Sequence, residues 1–220
     1  FELGWRINTP KIQAQTNIYW MEYKDQLVLT GAIDAVGSPI RQNVGKSRRL
    51  GIELELKMNL NSSWLWQPNI ALSSNQNLDF YFKRDGILEN LGKTQLAYSP
   101  NLVGGSAIMY VPSNRFQIGL LSKYVGKQYM GNIDSENSTL EAYFVNDLNA
   151  VFTWKPNKWV SEIQWSFLIN NIFDKRYESN GYFYTYDDSW STPGQVTTIE
   201  GAGYYPQAGI NFLTGLMIKF

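Results

Sequence analysis

Ile210-Asn211-Phe212-Leu213-Thr214-Gly215-Leu216-Met217-Ile218-Lys219-Phe220 is the stretch that decides the fold class. Ile210, Phe212, Thr214, Leu216, Ile218 and Phe220 share one parity, and Asn211, Leu213, Gly215, Met217 and Lys219 take the other. Alternation with period two is the signature of a β-strand. A strand this apolar, running to a final Phe with no polar tail, must be paired on both edges or held in an apolar medium, because a frayed oily edge pairs with other chains. A closed membrane barrel supplies both conditions.

The same alternation recurs upstream at nearly even spacing, and nine strands are expected. The first, about 1 to 8, sets Phe1, Leu3, Trp5 and Ile7 against Glu2, Gly4, Arg6 and Asn8. After a tight Thr9-Pro10 turn the second runs to about 29, and a Gly37-Ser38-Pro39 loop follows. In the third, about 43 to 60, Ile52, Leu54, Leu56 and Met58 oppose Glu53, Glu55, Lys57 and Asn59, the cleanest segregation in the chain. The remaining strands are expected at about 64–80, 95–111, 115–129, 143–155, 159–171 and from about 208 to the end. Connections at Thr9-Pro10, Asn61-Ser62-Ser63, Pro112-Ser113-Asn114 and Pro156-Asn157-Lys158 are short, and those between them are long, up to the stretch 175–207. Such alternation suits a membrane barrel with short periplasmic turns and long outer loops.

Composition narrows the class. Apolar residues make up 44% and aromatics 15%, while charged residues reach only 17% and balance at zero net charge, so nothing marks a nucleic-acid partner. There is no Cys and no His, which excludes a disulfide framework and any Ser-His or Cys-His arrangement within the chain. No apolar run approaches the ~18 residues of a membrane helix, so spanning must be by strands. Trp5, Trp64, Trp66, Trp154 and Trp159 fall beside the short turns, where an interfacial aromatic girdle would sit. A soluble β-sandwich also alternates, with its apolar parity facing a core. Expected strand length, loop asymmetry and Trp placement favour the barrel over that glycan-binding type of module, and the lack of His leaves a small barrel enzyme only weaker options such as carboxylate pairs.

Asn170-Asn171-Ile172-Phe173-Asp174-Lys175-Arg176-Tyr177, about forty residues before the final Phe, resembles the N-x-F-D-x-x-Y element in the C-terminal region of TonB-dependent outer-membrane receptors. Asn17-Ile18-Tyr19-Trp20-Met21-Glu22-Tyr23-Lys24-Asp25-Gln26-Leu27, Gly51-Ile52-Glu53-Leu54-Glu55 and Tyr124-Val125-Gly126-Lys127-Gln128-Tyr129 agree in order and spacing, and their wording resembles receptors of Bacteroidetes-type bacteria. The resemblance implies an all-β, antiparallel transmembrane barrel of about twenty-two strands in the outer membrane of a Gram-negative bacterium. It also implies a lumenal plug and a segment that contacts TonB. Nine strands are under half of that, so residues 1–220 are expected to be the C-terminal portion of such a barrel, with plug and TonB contact in a region outside this chain.

The resemblance further implies import of a scarce nutrient, such as a metal-siderophore, a cobalamin or an oligosaccharide, with no chemistry performed on it and no cofactor. Outer-membrane lipid, TonB and the barrel-assembly machinery are the implied partners. For the ligand, the aromatic stretch carrying Tyr182, Tyr184, Tyr186, Asp187, Asp188 and Trp190 is the best candidate, since rings stack on sugars or planar groups and carboxylates meet cations. No ligand-spaced metal motif accompanies the two Asp. Glu53 and Glu55 read as hydrated lumen wall. Asn171, Phe173, Asp174 and Tyr177 are expected to be barrel-top structure. Phe212, Leu216, Ile218 and Phe220 form the assembly signal that the resemblance implies.

Overall fold

The computed structural model describes residues 1–34, 36–156 and 159–220. Its strands are β1 (Glu2–Asn8), β2 (Ile12–Ile33), β3 (Pro39–Asn59), β4 (Trp64–Arg84), β5 (Ile87–Gln95), β6 (Leu102–Ser113), β7 (Phe116–Val125), β8 (Gln128–Tyr129), β9 (Thr139–Leu140), β10 (Tyr143–Trp154), β11 (Glu162–Asn170), β12 (Glu178–Asp188), β13 (Thr197–Pro206) and β14 (Asn211–Lys219). Nine of them, β1-β2-β3-β4-β6-β7-β10-β11-β14, pair antiparallel in that order into one continuous wall. These are the nine strands expected from the alternation. Among the described residues β1 and β14 each pair on one side only, so the wall is an open arc.

Register carries the sequence pattern around the arc. Leu3 stands opposite Ile18, Ile18 opposite Ile52, Ile52 opposite Leu72, and Leu72 opposite Leu102. Ile108 continues the stripe through Leu120, Leu148 and Ile169 to Phe212. On the other face Arg6, Gln15, Glu55, Asn69, Gly105 and Lys123 face one another in turn. A one-residue slip would exchange the two faces on a strand, so the pattern pins the register.

Among the described residues no second sheet covers the apolar face: Leu72 is 47% exposed and Phe152 50%. In water such a continuous oily band would aggregate, and a sandwich would have buried it. Hydrocarbon is the medium that suits it. Trp5, Trp64, Trp66 and Trp154 share this face next to the short turns, with Trp64 and Tyr110 rings 4.7 Å apart and Trp66 Nε1 donating to Ser106 Oγ at 2.9 Å. The short turns are locally built. Asn61 Oδ1 accepts from the amides of Ser63 and Trp64, and Thr9 Oγ1 accepts from Ile12 N. In the fourth short turn Asn157 and Lys158 lie outside the described residues.

At the opposite end the structure departs from expectation. The fifth wall strand, expected at 95–111, is β6 at Leu102–Ser113, and Ile87–Gln95 is a separate strand, β5, folded back on the upper half of β4 through an Asp85-Gly86 turn with φ of 52° and 79°. Positive φ at both central residues is what a type I′ hairpin turn requires. The long connection 175–207, expected as a loop, is largely the hairpin β12–β13. Together these pieces bury their own small core of Val28, Phe80, Phe82, Leu96 and Ile133, with Phe183 packed against it.

Candidate functional site

The hairpin β12–β13 leaves the wall between β11 and β14, yet β12 pairs in parallel with β2 at Thr185 and Ala32, near the other end of the arc. It therefore bridges the mouth of the wall. Its departure is fixed on the polar face, where Tyr177 packs on Val125, Tyr143 and Val145, with the Tyr177 and Tyr143 rings 4.3 Å apart.

Asn171 and Asp174 build the corner from which the hairpin springs. Both have positive φ, 50° and 51°, a conformation that Asn and Asp tolerate better than most residues. Asn171 N donates to Asp147 Oδ1 at 2.7 Å, while its side chain donates to Lys175 O and Ala208 O and accepts from Lys175 N. Asp174 Oδ1 accepts from Ile210 N at 2.9 Å. The corner thus ties the end of β11 to the approach of β14, the barrel-top role expected of these residues. Phe173 instead projects outward, 73% exposed.

Four of the ligand candidates converge. Tyr182, Tyr184, Tyr186 and Trp190 form a series of nearly parallel rings, with successive centroids 6.3, 6.4 and 6.0 Å apart. Tyr205, 6.0 Å from Tyr182 but tilted by 52°, flanks the series at its other end. Two glycines make the arrangement possible. Gly203 lies opposite Tyr182 and Gly201 opposite Tyr184, and a Cβ on Gly201 would come within 2.5 Å of Tyr184 Cζ. The rings therefore reach across the backbone of β13, where any side chain would displace them. Phe183 and Thr185, of the other parity, face inward.

The two carboxylates diverge. Asp187 Oδ2 lies 3.4 Å from Lys83 Nζ and its Oδ1 accepts from Thr198 Oγ1 at 3.0 Å. Asp188 caps the following turn, accepting from the amides of Trp190 and Ser191. Hydrogen bonds from Ser191, side chain and then backbone, hold its carboxyl below the ordinary value. The pair cannot converge on one ion. Among the described residues no group of three Asp or Glu is placed to hold a metal.

The hairpin is cross-tied to its neighbours. Arg84 Nη2 stands 3.3 Å from Glu200 Oε1, while Glu200 Oε2 accepts from Ser135 Oγ and Asn137 Nδ2. Asp85 and Thr198 exchange two bonds of 2.7 Å, amide to side chain in each direction. Tyr98 donates to Gly181 O at 2.8 Å, and Asn132 links Ala97 N to Leu29 O. Asp134 accepts from Gln95 N, but burial outweighs this bond and pushes its carboxyl above the ordinary value. None of these partners was singled out by sequence reading. Only the Asp-Gly pair at 85–86 carried a readable turn signal.

Elsewhere, Phe212, Leu216 and Ile218 lie on the apolar face of β14, and Phe220 follows the strand, 90% exposed. Glu53 and Glu55 sit opposite Asn17 and Gln15 on the polar face, where Arg6 Nη2 also donates to Gln15 Oε1. That places both carboxylates in a row of polar side chains along the wall.

An antiparallel wall, oily on one face and wet on the other, with short turns at one end and a folded roof at the other, defines a piece of a large outer-membrane-type β-barrel. Residues 1–172 match the family model "TonB dependent receptor-like, beta-barrel", and the chain belongs to that family. It is similar to the pesticin receptor of Yersinia enterocolitica serotype O:8 / biotype 1B, 25% identical over 185 residues, and to that of Yersinia pestis, 24% identical over 189. Each match covers 83% of this chain and 25% of the relative, so the chain spans about a quarter of their length. Among solved structures, the ferric yersiniabactin uptake receptor FyuA from Yersinia pestis is similar at 19% identity and a TM-score of 0.60, over 100% of this chain and 29% of that one. The copper transporter OprC gives 20% identity and a TM-score of 0.65, over 98% and 30%. At these identities the structures speak for the fold.

Proposed function

We propose that residues 1–220 are the C-terminal part of the wall and roof of an outer-membrane receptor that imports a scarce nutrient in a TonB-dependent way. The observation that carries this reading is the hairpin β12–β13, which crosses from β11 and β14 to β2 and presents Tyr182, Tyr184, Tyr186 and Trp190 at the mouth of a wall with a polar lumen face. A metal-siderophore is the preferred cargo, because solved proteins of the same fold include the siderophore receptor PiuA from Acinetobacter baumannii and the ferric yersiniabactin uptake receptor; cobalamin and oligosaccharide are the alternatives.

On this reading the oily face meets outer-membrane lipid. TonB is engaged through an N-terminal region outside the chain, and the roof aromatics with Asp187 and Asp188 meet or frame the ligand. The chain itself performs no catalysis. Phe212, Leu216, Ile218 and Phe220 are presented to the barrel-assembly machinery. Uptake of radio-iron siderophores by cells carrying the complete receptor, with and without TonB, tests the assignment. TonB-dependent uptake that falls in a Tyr186→Ala/Trp190→Ala variant at unchanged surface level is expected. Uptake equal with and without TonB would refute it.

A further inference from the structure

Beside the aromatic series lies a cleft of about 620 Å³, walled by the β2–β3 hairpin, the β4–β5 hairpin and β12. That volume is within the ~300–1,000 Å³ of small-molecule sites. Tyr81, Phe82 and Leu88 line one side, Ile33 and Ile40 another, and Tyr186 with Trp190 stand at the third. The Tyr186 and Trp190 rings are within 5° of parallel, so both offer faces in one orientation. The wall is suited to a planar ring, which stacks on such faces.

Charge refines the class. The charged residues of the lining are Asp34, Lys83 and Asp187. Lys83 is 3.4 Å from Asp187, and the next cation along β4, Arg84, is committed to Glu200 and to the Phe82 ring, 5.5 Å from its guanidinium carbon. Asp34 Oδ1 holds the amides of Val36 and Ser38 in the β2–β3 turn. Two carboxylates thus face one ammonium, and that ammonium is already paired. A polyanion entering here meets net negative charge, with no free cation among the described residues of the lining to receive it.

We propose that this cleft takes an uncharged metal chelate bearing planar conjugated rings and rejects polyanionic chelates. The proposal rests on the receptor reading and narrows its ligand. Metal and chelator are cargo, and no bond is made or broken.

Three probes separate the possibilities with the complete receptor in nanodiscs: ferric tris(maltolate), uncharged with planar rings; ferric tris(8-hydroxyquinoline-5-sulfonate), an aromatic trianion; and maltopentaose, a neutral glycan. Equilibrium dialysis is expected to show the maltolate complex binding at least about tenfold more tightly than the other two, and Tyr186→Ala or Trp190→Ala weakening it by about tenfold. An Asp187→Asn/Glu200→Gln variant releases Lys83 and Arg84, and is expected to improve binding of the trianion by about tenfold. Surface display and heat-dependent gel mobility report folding of each variant. Equal or tighter binding of the trianion, preference for maltopentaose, or no binding of the maltolate complex would overturn the proposal. TonB-dependent uptake of an anionic siderophore alongside any of these results would sink the selectivity while leaving the receptor reading intact.

Discussion

Arg84 and Glu200, 116 residues apart in sequence, meet at 3.3 Å where the tip of the β4–β5 hairpin touches the hairpin that bridges the mouth. Glu200 is the hub of this joint, since its other oxygen receives Ser135 and Asn137. Gln at this position keeps one acceptor oxygen but loses the charge and turns the other oxygen into an NH2 donor, so the Arg84 side and the Ser135–Asn137 side cannot both be satisfied. Glu200→Gln is expected to loosen the roof locally by about 1–2 kcal/mol, discounted because Arg84 is partly exposed. Hydrogen exchange across 197–206 should quicken by about tenfold while exchange in β7 and β10 is unchanged. Unaltered exchange in β13 would show that the joint contributes nothing.

Asn171 supplies three side-chain hydrogen bonds from a positive-φ position, so no residue that only fits the space replaces it. Asn171→Ala is expected to cost about 2–4 kcal/mol, combining lost bonds with left-handed strain. Asn171→Gly recovers the strain alone. Heat-dependent gel mobility of the complete barrel should place the midpoints in the order Asn, Gly, Ala, and equal midpoints would contradict the corner's role.

The glycines under the aromatic series give a paired test. Gly201→Val puts a side chain where the Tyr184 ring lies and is expected to destabilise the hairpin by about 1–3 kcal/mol. In a Tyr184→Ala background the same substitution should be close to neutral, since the ring is gone. A double-mutant cycle reads the coupling, and additivity would mean the ring does not rest there.

Asp134 predicts a pH dependence of the roof. Its carboxyl is raised by burial, with the Gln95 amide opposing, so the folded roof holds the proton more tightly than the unfolded chain does. Its contribution is complete below the ordinary carboxylate value and is lost as pH rises through the elevated folded value. Asp134→Asn keeps an acceptor for Gln95 N and tolerates the φ of 52° at this position. At pH 7 this variant should protect the Gln95 amide better than wild type, and it should remove that part of the pH profile. Poorer protection in Asn would reverse the sign of the argument.

Alternation made all nine wall strands legible because one face of each strand must be oily and the other wet. Leu54 and Glu53 could not exchange without a cost that every neighbouring strand shares. The roof was not legible for the same reason. Its outer strands are not held between two different media: Ile87, Leu88, Glu89 and Asn90 of β5 are all exposed, so nothing imposes alternation on them, and Gly92 with φ 65° interrupts the strand further on. In β13 the Gly201-Ala202-Gly203 run reads as loop, since glycine is poor in strands. The missing information was the cross-strand partner: those glycines are strand residues because tyrosine rings occupy their side-chain space. Tyr182 to Trp190 stood out as aromatic, but their order in a series and the divergence of Asp187 from Asp188 depend on a strand where a loop was expected.

The central claim is that alternate wall residues face hydrocarbon and a wet lumen. Leu54 and Ile70 stand opposite each other on the oily face, and Glu55 and Asn69 do so on the other. Spin labels at these four positions in the complete receptor, reconstituted in lipid, would report collision with oxygen, which concentrates in hydrocarbon, and with a water-soluble nickel chelate. The account predicts oxygen-dominated relaxation at 54 and 70 and nickel-dominated relaxation at 55 and 69. The same accessibility at all four positions, or the reverse pattern, would contradict it.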